Sequence, residues 1–380
     1  MRNRTVGAFI QKSAAHFAAG ALIILGTISQ SLNAAPAARP IISGGTIKTP
    51  DGQLLRGCHA HILRNLTSAQ TLFFTNRANV QKLKDQAHMN LIRICFVTPS
   101  WGGNASPDVD IPIADSIIAN CESVGGVYAI INLHGPIVMD GSAWDINKFW
   151  NTMSLRYKDR TCVLYGQVNE LWQNPGNYVD QWVSDLYKTM RKNAPNTMIM
   201  GVNEPVNMTA NWGAFCRDYL GPACGIDWAN GGKDAFSWHA YGGDPQYVLQ
   251  TKALVPTMCS EFSFWEEGWW SNEWDGCHMF AQWCEKNGLS WCVWQDRKPV
   301  DQLASVMNYL IPDAIAKKYA WWTNTETQTP RTPANLHSRP CAAAGSQTVL
   351  ANGQVVRSQA GKTRLNQLSM WRKIIKPALR

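Results

Sequence analysis

Along the middle of the chain, short apolar runs rich in β-branched and aromatic residues alternate with longer segments of helical period. The runs are LLRGCHAHI (54–62), LIRICFV (91–97), VYAIINLHG (127–135), VLYGQVNE (163–170), MIMGVNE (198–204), AFSWHAY (235–241), TMCSEFSF (257–264) and LSWCVWQD (289–296). Between them NVQKLKDQAH (79–88), ADSIIANCESV (114–124), VDQWVSDLYKTMRKN (179–193) and HMFAQWCEKNG (278–288) repeat apolar residues at three and four spacing, with charged positions opposite. That is the pattern of a helix burying one stripe. Eight strand-then-helix units over about 250 residues, with strands recurring roughly every 35 residues at first, predict an α/β fold of the (β/α)8 TIM barrel type. The competitor is an open, doubly wound sheet. No GxGxxG or GxxxxGK[ST] loop follows the first run, which disfavours a nucleotide-binding sheet and favours the barrel.

The two ends differ from this body. Residues 1–37 open with Arg2 and Arg4, continue through an apolar run from Phe17 to Ile28 and close in small residues. This succession reads as a signal peptide, cleaved between about Ala34 and Ala38. It implies a secreted protein, extracellular or periplasmic, with no stable membrane insertion once the signal is removed. The apolar run is short for a bilayer span. Residues 38–323 form the predicted catalytic barrel, and residues 324–380 a basic, flexible tail with one short helix around LNQLSMWRKIIKPAL. The tail also suits a basic anchor to an acidic surface, polymer or partner.

Charge sharpens the division. The chain nets +8, but the tail carries nine basic residues against Glu326, and the leader adds Arg2, Arg4 and Lys12. The body between is therefore slightly acidic, which is no electrostatic footprint for nucleic acid. The 11 cysteines are an odd number, so at least one is free or pairs between chains. Cys95, Cys162, Cys259 and Cys292 lie in strand-like runs, where cysteine is a small buried hydrophobe. Cys216 and Cys224 are spaced for a local disulfide. Cys58, His59 and His61 stand together in GCHAHI, but no second zinc-type ligand cluster accompanies them. The expectation is no metal and no organic cofactor.

In such a barrel the chemistry sits at the carboxyl ends of the strands. Strand two ends near Arg93, strand three at His134, strand four at Asn169 and Glu170, and strand five at Asn203 and Glu204. Strand six carries His239 and Tyr241, strand seven Glu261 and strand eight Trp294. An unpaired buried polar group costs about 1–3 kcal/mol, so this many polar residues in apolar strands imply a site. Two carboxylates across a barrel mouth suit glycoside hydrolysis, one protonating the leaving oxygen and the other attacking the anomeric carbon or activating water. Strands four and seven lie roughly opposite each other, so Glu170 and Glu261 can face each other. Glu204, followed by Pro205, stands on the neighbouring strand five.

The ordered set LIRICFV, AIINLHG, GQVNE, WHAY, SEF and WCVWQD resembles glycoside hydrolase family 5, the cellulase-like group of the clan A barrels. The resemblance runs from about Ile42 to Trp322. It implies a retaining β-glycosidase working by double displacement, with Glu170 as acid/base and Glu261 as nucleophile, and it leaves Glu204 a rim or supporting residue. Arg93 near Glu261 would keep that carboxylate ionised, and the Tyr241 hydroxyl can donate to it. Asn169 suits the sugar 2-hydroxyl, His134 and His239 suit sugar hydroxyls or neighbouring carboxylates, and Trp294 offers a face for the ring at the cleavage site.

The chain holds 18 tryptophans. Trp182, Trp283 and Trp291 occupy packing positions. Trp101, Trp144, Trp172, Trp212, Trp265, Trp269 and Trp270 follow strand ends, and Trp172, Trp212 and Trp265 are the expected walls of an extended cleft. Departures from the family pattern are His59 where Asn is usual, Asn132 where Asp is frequent, and Ser263 where Gly is common. They leave the substrate subfamily open. An endo-β-1,4-glucanase acting on a β-linked oligosaccharide or polysaccharide is the leading reading. A β-mannanase or another family 5 specificity is the alternative, and a non-catalytic carbohydrate-binding barrel is a third, disfavoured because both carboxylates are present. Oligomeric state has no signal in the sequence. Amino-terminal sequencing of exported protein is expected to begin between about Ala34 and Pro40; an intact Met1 on a membrane-bound species would refute cleavage.

Overall fold

The computed structural model describes residues 38–64, 72–136, 138–170, 181–201, 205, 211–228, 232–240, 245–262, 280–281 and 283–294, and two short paired strands, Thr348–Val349 and Val355–Val356. Eight parallel strands close into a barrel in chain order. They are β1 (Arg56–Ile62), β2 (Leu91–Val97), β3 (Tyr128–His134), β4 (Val163–Val168), β5 (Met198–Met200), β6 (Asp234–His239), β7 (Thr257–Glu261) and β8 (Trp291–Val293). β8 pairs with both β1 and β7, which closes the ring. Each expected apolar run overlaps one of these strands.

Because the strands are covered on both faces, they read as continuous apolar runs, and the polar exceptions mark the lumen. Every residue of β2 is buried. Its Phe96 packs on Phe149 of the surrounding helical layer at 5.3 Å between ring centroids, whereas Arg93 reaches across the lumen to β7. The same alternation aims His59 and His61 of β1 inward, in register with Arg93 and Cys95 of β2.

The helices between strands are α1 (Arg77–Asp85), α2 (Pro107–Val124), α3 (Ile146–Tyr157), α4 (Gln181–Asn193), α5 (Trp212–Phe215) and α6 (Pro245–Leu254). Short side chains start three of them by accepting from exposed backbone N–H groups: Asn76 for α1, Ser106 for α2 and Asp145 for α3. Asp108 and Asp110 in the first turn of α2 complement its dipole. α5 continues through a π turn at Cys216–Leu220 into Gly221–Cys224. This local geometry corrects the expected Cys216–Cys224 bridge, since both are free buried thiols. Eight residues along a helix advance about 12 Å, beyond the roughly 7 Å between Cα atoms that a disulfide spans. The other cysteines among the described residues are also buried thiols outside any disulfide.

The bottom of the barrel is closed by a hairpin, Ile41–Ser43 against Thr46–Lys48. Thr46 Oγ1 donates to the Thr257 carbonyl at 2.7 Å, the Thr257 N–H donates to Gly45 at 2.9 Å, and Ile47 is fully buried. Just ahead of the hairpin, Arg39 ties two loops together. Its Nη2 donates to the Lys158 carbonyl at 2.7 Å, and its Nη1 reaches the Arg160 carbonyl at 3.4 Å and Thr197 Oγ1 at 3.3 Å. Tyr128 donates to the Ala38 carbonyl at 3.1 Å. No helix among the described residues is long and apolar enough to cross a membrane. The leader, most of the tail and its expected helix lie outside the described residues. Arg39→Ala removes a charged donor from three acceptors and is expected to lower stability by about 1–3 kcal/mol, read as a lower denaturant midpoint at unchanged slope.

Candidate active site

Two register shifts shape the carboxyl end of the barrel. Between β3 and β4, Asn132 pairs with Gly166 but Leu133 pairs with Val168, so Gln167 is an extra residue. Between β6 and β7, Trp238 pairs with Cys259 but His239 pairs with Glu261, so Ser260 is extra. Such bulges bend the strand and re-aim the side chains beyond them. Here they stand just before Asn169–Glu170 and before Glu261. Each freed carbonyl has a fixed donor: Trp150 Nε1 of α3 donates to Gln167 at 2.8 Å, and His59 Nε2 donates to Ser260 at 3.0 Å. Glu170 itself has a φ of 51°, a left-handed conformation that costs a non-glycine residue about 1–3 kcal/mol and recurs at functional sites.

Arg93 organises the floor. Its side chain is wholly buried; Nη1 donates to Glu261 Oε2 at 2.8 Å and Nη2 to Asn169 Oδ1 at 2.8 Å. The same Nη1 is 3.4 Å from both ring nitrogens of His59. Equal distances to the two nitrogens place the guanidinium over the face of the His59 ring, while Nε2 donates to Ser260 and Nδ1 has Cys95 Sγ 3.7 Å away. His239 lies between the two carboxyl groups, with Nδ1 2.9 Å from Glu170 Oε1 and Nε2 3.6 Å from Glu261 Oε2. One oxygen of Glu170, one nitrogen of His239 and one oxygen of Glu261 all lie within 4.8 Å of one another. Glu261 is almost fully buried, while the Glu170 side chain is 26% exposed. One carboxylate is thus held deep on a fixed cation and the other stands beside it, open to solvent.

Two carboxyl groups this close, one on β7 and one just beyond β4 of a closed parallel barrel, are an arrangement that suits chemistry at a glycosidic bond. Comparison with known proteins decides the family. Residues 55–297 match the cellulase family, glycosyl hydrolase family 5. The chain belongs to that family. It is therefore a glycoside hydrolase, and retention is the course of O-glycosyl hydrolysis that goes with family 5. Solved structures agree in fold. The cellulase Cel5C_n aligns with a TM-score of 0.55 at 17% identity, covering 77% of this chain and 94% of its own. The β-glucanase SdGluc5_26A from Saccharophagus degradans, solved in complex with cellotetraose, gives 0.51 at 14% identity, covering 73% and 94%. The catalytic domain of alkaline cellulase K gives 0.51 at 16%, covering 69% and 80%. No curated protein matches the sequence.

Of the residues singled out from the family 5 pattern, the structure brings Arg93, His134, Asn169, Glu170, His239, Glu261 and Trp294 to one end of the barrel. Tyr241, Trp172, Trp265, Asn203 and Glu204 lie outside the described residues, as do Trp269 and Trp270. Trp212 is a correction. It is fully buried in α5, with its ring 5.4 Å from Phe236 and 5.7 Å from Phe215. By residue 212 the chain has turned from β5 into the helix that covers the barrel, so this indole packs on the outer face of β6 instead of lining a cleft. Trp144, packed on Phe149 and 4% exposed, is also core.

Two residues the strand-end reading did not assign, His59 and His61, join His134 beneath Trp294. The His61 ring centroid is 4.2 Å from that of Trp294, His134 stacks on Trp294 at 5.0 Å and 20°, and His59 meets it edge-on at 4.9 Å. The period-two placement of His59 and His61 in GCHAHI was the available signal. His59, His61 and Cys95 also bring ligand-type atoms within 4.8 Å of one another. The Arg93 guanidinium beside them opposes a metal cation. Burial, reinforced by Arg93, pushes the His61 imidazole down to about 3 and holds His59 and His134 well below the usual histidine range; a hydrogen bond with Asn169 works against the shift at His134.

These imidazoles are neutral in the folded protein but protonate in the unfolded chain near pH 6.5. Their contribution to stability is whole above that pH and is lost as pH falls toward the folded values. Each is expected to cost up to about 1.4 kcal/mol per pH unit in that window. Denaturant unfolding between pH 7 and pH 5 measures the slope, and His61→Asn should make it shallower.

Proposed function

We propose that the chain is a secreted endo-β-1,4-glucanase that cleaves by two-step double displacement, with Glu261 as nucleophile and Glu170 as acid/base. The observation that carries this reading is the carboxylate geometry: oxygens of Glu170 and Glu261 within 4.8 Å, beside a guanidinium that donates to Glu261. Retaining enzymes hold their carboxyl groups about 5–5.5 Å apart, whereas inverting enzymes leave about 6.5–9.5 Å for a water. Arg93 holds one oxygen of Glu261, so its other oxygen attacks the anomeric carbon as Glu170 protonates the leaving oxygen. Glu170, now a carboxylate, takes a proton from the water that hydrolyses the glycosyl-enzyme.

Other residues fit supporting parts. His239 touches Glu170 and lies near Glu261, so it orients both across the reaction. Asn169 spends its oxygen on Arg93 and its side chain also bonds His134, which fixes the amide where a hydrogen of its NH2 can meet a sugar hydroxyl. Trp294 is the platform under the ring at the cleavage site. A β-glucan substrate is favoured by the cellulase family itself and by the relative solved with cellotetraose. Secretion is favoured by the leader, and cleavage before Ala38 would preserve the Tyr128 and Arg39 contacts at the start of the fold.

Azide rescue separates the glutamates. Glu261→Ala should abolish turnover, and azide should then yield an α-glycosyl azide, the small anion taking the nucleophile's place. Glu170→Ala should still form the glycosyl-enzyme from substrates with very good leaving groups, with azide giving the β-product. Glu204→Gln should cost little activity. The reverse pattern, with Glu204→Gln behaving as the acid/base variant, would sink the assignment. Product sizing on β-glucan, β-mannan, xylan and xyloglucan tests the substrate, with internal cleavage of β-glucan the expected result.

A further inference from the structure

We propose that Trp150, buried in α3 behind the barrel wall, is a positioning residue for Glu170 and acts on it through the bulge of β4. This role deepens the proposed glucanase mechanism and rests on the acid/base assignment made there. The indole is fully buried, edge-on to Phe149 at 5.3 Å and to Tyr165 of β4 at 5.7 Å between ring centroids. Packing accounts for the rings but not for the direction of the N–H. Four other buried indoles, those of Trp144, Trp212, Trp238 and Trp283, have an Nε1 with no hydrogen-bond partner among the described residues, whereas Trp150 Nε1 donates to the Gln167 carbonyl at 2.8 Å. The donor is directed at one peptide, three residues before Glu170.

That peptide is where β4 leaves regular pairing. Asn132 of β3 pairs with Gly166 and Leu133 with Val168, which makes Gln167 the extra residue, and an extra residue has no fixed place in the ladder. Its place here is set from three sides. Trp150 holds its carbonyl from α3, Asn132 Nδ2 donates to the preceding Gly166 carbonyl at 3.0 Å, and Gln167 Nε2 donates to Met190 Sδ of α4 at 3.0 Å. The ladder resumes at once, with Asn169 N–H donating to the Leu133 carbonyl at 3.2 Å.

Glu170 follows in its left-handed conformation, φ 51°, which a non-glycine residue keeps only where its surroundings over-determine it. Its partly exposed carboxyl group touches His239, and the direction of the side chain is inherited from the backbone that the bulge sets. Glu261 is held separately, by Arg93 and by the second bulge on β7. Loosening the β4 bulge therefore displaces the acid/base and leaves the nucleophile in place. A misplacement of about 1 Å can cost on the order of 100-fold in rate.

Proton donation matters more the poorer the leaving group, so aryl β-cellobiosides separate the two glutamates. Dinitrophenolate leaves without a proton; phenolate and a sugar alkoxide do not. Trp150→Phe keeps an aromatic ring and removes the N–H. It should lower kcat/KM on phenyl β-cellobioside by about tenfold or more, while dinitrophenyl β-cellobioside stays within about twofold. On the latter, kcat and KM should fall together as the glycosyl-enzyme accumulates, and azide should raise kcat and give the β-glycosyl azide. The ratio between the two substrates does not depend on how much of the protein is folded. Trp212→Phe, at an indole whose N–H has no partner, should leave that ratio at the wild-type value, and Asn132→Leu, which strips the donor from Gly166, should shift it as Trp150→Phe does. Equal losses on both substrates, or no loss, in Trp150→Phe would overturn the role; if that variant yields no folded protein, Asn132→Leu decides by the same criterion. Glu170→Ala is the reference: should it show no preference for the better leaving group, the acid/base assignment fails and this role with it.

Discussion

A guanidinium with no exposure to water sits at the centre of this barrel, and the rest of the mouth is arranged around satisfying it. Removing a cation from water costs several kcal/mol even after relaxation, and removing one partner of such a pair costs about 3–5 kcal/mol. Arg93 therefore requires fixed acceptors. It has them in Glu261 from β7, Asn169 from just beyond β4 and the His59 ring from β1. Glu261 and Asn169 meet Arg93 only across the lumen, while His59 is its register partner on the adjacent strand. The same contacts that make the arginine tolerable also fix the orientation of the buried Glu261 carboxyl group.

The two bulges solve a second problem. Strict pairing with alternate facing leaves a side chain at a strand end only two directions, and neither need suit a reacting pair. One extra residue before each glutamate changes that direction. It also frees a carbonyl that would be costly if left bare, and each is met by a ring N–H: the Trp150 indole for Gln167 and the His59 imidazole for Ser260. The left-handed backbone at Glu170 is a further local cost that the surrounding packing absorbs.

Electrostatically the lumen is divided. One permanent cation, Arg93, is surrounded by His59, His61 and His134, all neutral because burial and that cation oppose their protonation. Neutral imidazoles can lie against the Trp294 face without competing with Arg93 for Glu261. This is also why a pocket with metal-like ligand spacing at His59, His61 and Cys95 reads as neutral aromatic support for Trp294.

The eight strands were legible because each buried strand is an apolar run interrupted by lumen-facing polar residues, and a barrel repeats that signal. The strand ends carrying Arg93, His134, Asn169, Glu170, His239, Glu261 and Trp294 followed from the same alternation, since unneeded polar groups do not persist in such runs. Three things required the tertiary structure. Trp212 has the sequence position of a cleft residue, yet its side depends on where the chain turns from strand to helix. Cys216 and Cys224 have the spacing of a disulfide, yet helical backbone separates them. His59 and His61 look like ligands in isolation, but their role is set by an arginine 34 residues from His59 and by a tryptophan on the last strand. Local sequence encodes periodicity and side-chain chemistry; contacts across a closed barrel depend on register, bulges and the direction of each loop, which no local pattern contains.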